Sequence, residues 1–404
     1  MQIAGFNVFA TRFLELAGFV RVMARREYSF STLNKVDKAL IWLYGYATIV
    51  FLLRSSDGQA TAIGEFVDAF LCYFAFRGLI GNMEDFKLFL RAFLILLVPY
   101  TLLILYECFT RHDLFAVMGG VSDGSWVRGN RIRCLGSFRQ PDTLGMFAAS
   151  FLPLYIGLAC ILRERKRAII GICCCLLIGW AANSGGAAAA AAMGLLGWPF
   201  WRWRTQMRTL RWGIVGLLVA LALVMKAPIW YIFDRISSIT GGDGWHRSYL
   251  IDVAWQHLGQ WWFWGMPIKE TSGWFAYDLG NMGQADITNQ FVSFGLAAGV
   301  GAIVLFILLL KRAYSLLGQA MVAVRASSPA TSETELMLWG LGVMLAMHIA
   351  NWFGITYFDQ MYVVWFLQLA AISNLSEQCL RVLDKSAYKV LETKESPIYG
   401  TTID

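Results

Sequence analysis

Residues 290–310 read QFVSFGLAAGVGAIVLFILLL, and Lys311 and Arg312 follow at once. An α-helix needs roughly 20 apolar residues to cross the hydrocarbon core of a bilayer, and this run supplies them before ending on two cations. The rest of the chain repeats the pattern. Across 404 residues it is 57% hydrophobic and only 15% charged, with a mean hydropathy of +0.54, more apolar surface than one soluble core can hide. The expected fold is an all-α polytopic membrane protein with about ten transmembrane helices. They are expected near 37–54, 61–80, 90–109, 143–162, 168–184, 186–201, 212–232, 290–310, 336–355 and 361–376.

Orientation follows from where Lys and Arg collect. Arg21, Arg25, Arg26, Lys35 and Lys38 precede the first span, and later short loops hold Arg163, Arg165, Lys166 and Arg167, then Arg202, Arg204, Arg208 and Arg211, then Lys311 and Arg312. These clusters all fall on one side. Both termini are therefore expected in the cytoplasm, and the formal charge of +7 belongs to cytoplasmic loops, not to a nucleic-acid partner. Residues 1–20 are apolar but interrupted by Arg12 and Glu15, which suggests a short helix in the membrane interface and no cleaved signal.

Two larger loops, 110–142 and 233–289, then face outward and are expected to form one lid over the outer end of the bundle. They divide the chain into an N-terminal part (1–109, a cytoplasmic segment and three spans), a central part (110–312) and a C-terminal part (313–404, the last two spans and a cytoplasmic tail). The second loop holds Trp245, Trp255, Trp261, Trp262, Trp264 and Trp274. Such rings suit headgroup depth, and they also suit stacking on sugars. The stretch from Arg247 to Trp264 reads as a partly buried amphipathic helix, with Gly241-Gly242-Asp243-Gly244 as a flexible lead-in.

Of the eight cysteines, Cys173, Cys174 and Cys175 lie inside a span as small apolar fillers, and none shows metal-ligand spacing. Cys108 and Cys134 are the pair that could meet on an oxidising side. There are four histidines, His112, His246, His257 and His348, and no metal or cofactor is expected. The chemistry must come from Arg131, Arg133 and Arg139 in the first loop, His246 and Arg247 in the second, and Asp286, Thr288 and Asn289 before the eighth span. Guanidinium groups bind phosphate in a bidentate fork and stay charged, so several converging in a cavity would clamp a pyrophosphate leaving group. Each could instead snorkel to lipid phosphates or pair with a nearby carboxylate.

The sequence from Arg133 to Phe138, followed by Pro141-Asp142 and a span, resembles the Arg, Gly, Phe, Pro-Asn signature of the O-antigen ligase and polysaccharide polymerase family, with Asp in place of Asn. Asn183-Ser184-Gly185-Gly186 is similar to that family's Ser-Arg-Gly element, with Gly185 where the arginine is expected. Trp245-His246-Arg247, leading to a helix that ends at Gly265, resembles its second arginine element and keeps the arginine. Thr288-Asn289-Gln290-Phe291, with Gly299 beyond, resembles its His-Asn-x-aromatic element, with Thr288 replacing the histidine.

The resemblance covers about residues 110–312 and implies a metal-independent glycosyltransferase on the periplasmic face of a bacterial inner membrane. Its donor would be an undecaprenyl-pyrophosphate-linked glycan and its acceptor a glycan hydroxyl, in O-antigen, capsule or exopolysaccharide synthesis. Membrane lipids, and a chain-length regulator as a further candidate, would be its partners. Arg247 is the expected stabiliser of the departing pyrophosphate, with Arg131, Arg133 or Arg139 assisting and Thr288 and Asn289 touching substrate. Asp286 and His246 are the candidate bases. A carboxylate near arginines is expected to have a depressed pKa, leaving the histidine readier to accept a proton. The rival reading is a lipid-linked oligosaccharide flippase or other polysaccharide transporter, motivated by Glu65, Asp68 and Arg77 in the second span. The absence of visible internal repeats and the gathering of polar loops on one face favour the transferase.

Overall fold

The computed structural model describes residues 2–3, 6–7, 10–55, 58–118, 121, 126–128, 130–235, 244–275, 285–327, 332–358 and 360–395, with side chains for 11–382 of these. It is a helix bundle. Eight helices precede the second large loop: α1 (Ala10–Ala24), α2 (Lys35–Arg54), α3 (Gln59–Leu79), α4 (Met83–Thr110), α5 (Pro141–Ala159), α6 (Arg165–Ala182), α7 (Gly185–Leu196) and α8 (Met207–Val224). That loop contains α9 (Gly244–Gln256) and the single turn α10 (Leu258–Trp261), and α11 (Gln290–Ser327), α12 (Glu333–Asn351) and α13 (Met361–Glu395) complete the chain. Among the described residues, strands are confined to two antiparallel pairs, β1 (Gln2–Ile3) with β2 (Phe6–Asn7) and β3 (Trp126–Arg128) with β4 (Arg131–Arg133).

Polar caps fix where the helices begin. Asn34 accepts from the backbone of Val36 and Asp37 while Asp37 reaches back to the Asn34 N–H, a capping box that starts α2. Asn82 and Ser332 do the same work for α4 and α12. Each of the ten apolar stretches lies largely on a helix, and among the described residues five helices are long and apolar enough to cross a membrane: α2, α4, α5, α11 and the stretch Pro199–Val224. The others are shorter or interrupted. Helix α7 has 12 residues, α6 opens on Arg165-Lys166-Arg167, and α3 carries Glu65, Asp68 and Arg77. Helix α5 is the hub, packed on α6, α7 and α12, whereas α8 has no buried residue.

Three sequence readings change. The N-terminal helix does not lie across the end of the bundle: α1 runs beside α3 in the same direction. A Cβ on Gly64 would fall 2.6 Å from Arg12 Nη2, one on Gly78 would fall 2.2 Å from Val22 Cγ1, and Gly18 faces Ala75 between them. Two of the three charged residues of α3 are paired. Asp68 takes a bidentate pair from Arg12 at 2.7 and 2.8 Å. Arg77 binds Asp37 of α2 at 3.0 and 2.9 Å, with Tyr73 and Tyr28 donating to the same carboxylate. Held this way, Asp68 and Arg77 lend the ion-path reading no support.

The segment from Arg247 to Trp264 is not one continuous helix. Helix α9 breaks at His257, α10 adds a turn, and Trp262–Gly265 then plugs into a kink of α11 at Ala298 and Gly299. There the Val300 N–H donates to the Trp262 carbonyl at 2.7 Å and the Met266 N–H to the Leu296 carbonyl at 2.9 Å. Arg54 Nη1 closes the joint by donating to the carbonyls of Trp264 and Leu296 at 3.0 and 2.8 Å. Gly265 and Gly299 sit at φ of +70° and +75°, where a side chain is disfavoured. A Cβ on either would also lie 2.2–2.3 Å from a carbonyl oxygen of the facing segment.

Candidate functional site

Residues 131–142 are held down between α4 and α6. Glu107, on α4, accepts from the N–H groups of Leu135 and Gly136 at 2.7 and 2.9 Å. The Cys134 N–H donates to the Ala181 carbonyl at 3.1 Å, and the Ser137 and Tyr100 hydroxyls meet at 3.0 Å. Gly136 has φ +54°, and a Cβ there would fall 2.3 Å from Ile104 Cδ1, so the tight turn requires glycine. Cys108 and Cys134 are free thiols.

This anchoring sets Arg133 beside Asp142, at the start of α5, with Nη2 to Oδ1 at 2.8 Å. The Arg133 Nε is buried without a hydrogen-bond partner. Ser184 also donates to Asp142 Oδ1, and its Oγ caps α7 by accepting from the Ala187 N–H at 3.4 Å. The left-handed Asn183, φ +45°, ends α6 and turns the chain into that cap.

Arg247 reaches the same place from α9. A Cβ on Gly186 would sit 3.5 Å from its Nη2, and one on Gly354 would sit 3.0 Å from its Cδ and 3.1 Å from its Nε. Its side chain thus lies between the start of α7 and the α12–α13 connection, with glycine on both sides. Next to it on the helix, His246 has Nε2 3.2 Å from the Asp286 carbonyl oxygen and its ring stacked on Phe275 at 5.6 Å. Burial pushes the Asp286 carboxyl above its ordinary range, with Asp142 adding to the push and His246 and Arg247 opposing it. This reverses the depressed pKa expected from nearby arginines, because loss of solvent outweighs them. Asp286 still keeps an exposed edge. Neighbouring protein crowds the carboxyl without sealing it, so water screens part of the effect.

Asn289 is buried and caps α11: its Oδ1 accepts from the Phe291 and Val292 N–H groups at 3.0 and 3.1 Å, and its Nδ2 donates to the Phe353 carbonyl at 3.3 Å. Its amide is committed to the fold. Thr288 differs, since its Oγ1 is buried with no partner.

The structure therefore brings together Arg133, Asp142, Ser184, Arg247, His246, Asp286, Thr288 and Asn289. Arg131 stands aside with its guanidinium 5.0 Å over the Trp180 ring, and Arg139 is exposed. Of the loop tryptophans, Trp245, Trp255, Trp262 and Trp264 are exposed while Trp261 and Trp274 are buried; the Trp245 ring is itself stacked on Tyr249 at 5.0 Å. Gly241-Gly242-Asp243 lies outside the described residues.

The α12–α13 connection was missed by the sequence reading and lines much of the site. Gln360 donates to the Ser137 carbonyl at 3.2 Å, the Tyr357 N–H to Gln290 Oε1 at 2.8 Å, and Thr356 to the Ile287 carbonyl at 2.5 Å. Its one sequence signal is Gly354 in a short connection between two apolar stretches. Among the described residues, no three His, Cys, Asp or Glu side chains gather as a metal site. In comparisons with known proteins, no family model and no curated protein matches the chain.

Proposed function

We propose that this chain is a membrane glycosyltransferase of the polysaccharide polymerase or O-antigen ligase type. It would transfer an undecaprenyl-pyrophosphate-linked glycan to an acceptor glycan hydroxyl on the periplasmic face of a bacterial inner membrane. The observation that carries the reading is the placement of Arg247 against the Ser184-Gly185-Gly186 start of α7, which is joined through Asp142 to Arg133.

In this reaction the acceptor oxygen forms a bond to the donor's anomeric carbon as the bond from that carbon to the phosphate oxygen breaks. The pyrophosphate leaves with the electron pair, so catalysis depends on stabilising the charge that builds there. Arg247 supplies a planar fork. The first turn of α7 supplies backbone N–H groups and the positive end of a helix dipole, equivalent to about half a charge. With Gly185 in place of an arginine, that bare helix start does part of the work an arginine does in the apparent relatives. Thr288, whose buried hydroxyl has no partner, would turn it toward the acceptor. The described parts of the larger polar loops gather at the end of the bundle where the reaction would occur, and the polyprenyl chain would stay in the membrane.

Purified protein reconstituted in liposomes with an undecaprenyl-pyrophosphate-linked repeat unit is expected to yield a ladder of longer glycans and free undecaprenyl pyrophosphate. Failure to consume a panel of such donors, or an Arg247→Lys variant as active as the parent, would overturn the reading.

A further inference from the structure

A second site lies between α4 and α6, at the opposite end of the bundle from Arg247. A groove of about 460 Å³ opens there, lined by Arg91, Leu94, Ile95, Val98, Arg167 and Ile170. Its walls are hydrocarbon. Ile95 and Ile170 are exposed along it, and Leu94 closes its floor.

The basic end of the groove is under-compensated. Arg91 and Arg167 both pair with the one buried carboxylate of Glu164, Arg167 at 3.6 Å. Arg91 Nε is buried without a partner, while the Arg167 side chain is 63% exposed. Arg163, Arg165 and Lys166 flank the same carboxylate in sequence. The Arg91 contact holds the Glu164 carboxyl below its usual range, with Arg167 assisting, so Glu164 stays ionised. Glu84 and Glu333 also act on Arg91, but Lys87 pairs with both, and cations outnumber carboxylates at this end.

We infer that this groove binds an anionic phospholipid, with an acyl chain along Leu94, Ile95, Val98 and Ile170 and the headgroup phosphate between Arg91 and Arg167. Basic pockets between membrane helices select anionic headgroups in this way. A zwitterionic lipid fits the groove equally well but carries its own cation toward the arginines, so charge is the basis of selection. The inference does not rest on the transferase reading.

The test is native mass spectrometry of the purified chain equilibrated with equal amounts of phosphatidylglycerol and phosphatidylcholine of identical acyl chains. The parent is expected to retain phosphatidylglycerol in excess, on the order of fivefold for each guanidinium engaged. Arg167→Gln leaves Arg91 to hold Glu164 and is expected to lose most of the preference. Val98→Trp fills the groove without touching a charge and is expected to lower retention of both lipids. Inorganic phosphate is expected to leave the bound lipid in place, since it matches the charge but not the chain. Equal retention of the two lipids by the parent, survival of the preference in Arg167→Gln, unchanged lipid retention in Val98→Trp, or displacement by phosphate alone would overturn the inference. A monodisperse, helical protein by gel filtration and circular dichroism makes each variant a valid comparison.

Discussion

Arg247 is positioned as much by what its neighbours lack as by what they offer. Gly354 leaves room for its stem, and a Cβ there would sit 3.0 Å from Cδ and 3.1 Å from Nε. Gly354→Ala is therefore expected to displace the guanidinium by a few tenths of an ångström and lower glycan transfer about tenfold to a hundredfold, with thermal stability nearly unchanged because a flexible side chain yields. Activity at the parent's level in that variant would detach Arg247 from the chemistry. For the proton, the structure favours positioning: the His246 ring nitrogen lies against a backbone carbonyl and its face against Phe275. Asp286→Asn and His246→Gln are expected to reduce turnover by less than tenfold, and a loss of several hundredfold with normal donor binding would identify a base instead. The raised Asp286 pKa also has a sign for stability. It favours the folded state in acid, below the ordinary carboxylate range, and that contribution is lost as pH rises through the raised value. Asp286→Asn should thus match or exceed the parent's melting temperature at neutral pH, and the difference should close or turn against the variant on acidification. Arg247, His246 and Asp286 were legible as residue types beside family-like elements. Gly354 was not, because a glycine reveals its purpose only when the side chain that crosses it is known.

At the scale of elements, Gly265 and Gly299 were visible in the sequence as the end of one helix and a glycine within another. Their meeting was not visible. It depends on a turn after α10 inserting its carbonyls where α11 breaks, and on Arg54 arriving from α2 to bond the carbonyls the break exposes. The kink leaves backbone groups that must be paired away from water, and these contacts pair them. Through this joint α9, which carries Arg247, is tied to a long membrane helix. Gly299→Ala combines a disfavoured φ with a Cβ 2.3 Å from a backbone oxygen. It is expected to destabilise the protein by about 2–4 kcal/mol and to lower glycan transfer as α9 shifts. Arg54→Ala should cost about 1.5–3 kcal/mol, the range for hydrogen bonds to a charged donor. Thermal unfolding in detergent checks both, and a neutral Gly299→Ala would show that the joint is not rigid. The same lesson holds for Asn289. The family resemblance implies that it touches substrate, yet an asparagine just before an apolar run is equally suited to capping the helix, and the structure uses it so.

At the scale of the whole molecule, the apolar runs made a helical membrane protein legible, because a span is a local property of sequence. The path of the N-terminal segment was not legible in that way. Arg12 and Glu15 made residues 1–20 look too polar to cross, but each charge finds a partner from a distant helix, Arg12 on Asp68 and Glu15 on Tyr362. Fifteen residues of α1 rise about 22 Å, short of the roughly 30 Å hydrocarbon core. Phe13, Leu14, Leu16 and Val20 are nonetheless exposed on its outer side, where lipid would cover them. The lysine and arginine asymmetry fits this path too, since Arg21, Arg25 and Arg26 then mark the cytoplasmic end of a helix that begins outside. The first turns of α1 and α3 share an end of the bundle, and that is the end bearing Arg247. Reporter fusions at Gly120 and Gly280 are therefore expected to report the periplasm and one at the C-terminus the cytoplasm, while the path of α1 replaces the expected cytoplasmic N-terminus with a periplasmic one, to be checked by a fusion there. A cytoplasmic N-terminus would return residues 1–20 to the interface and remove α1 from the bundle. Cytoplasmic reporters at Gly120 and Gly280 would go further, because Arg247 would then face the side from which no flipped glycan donor can arrive.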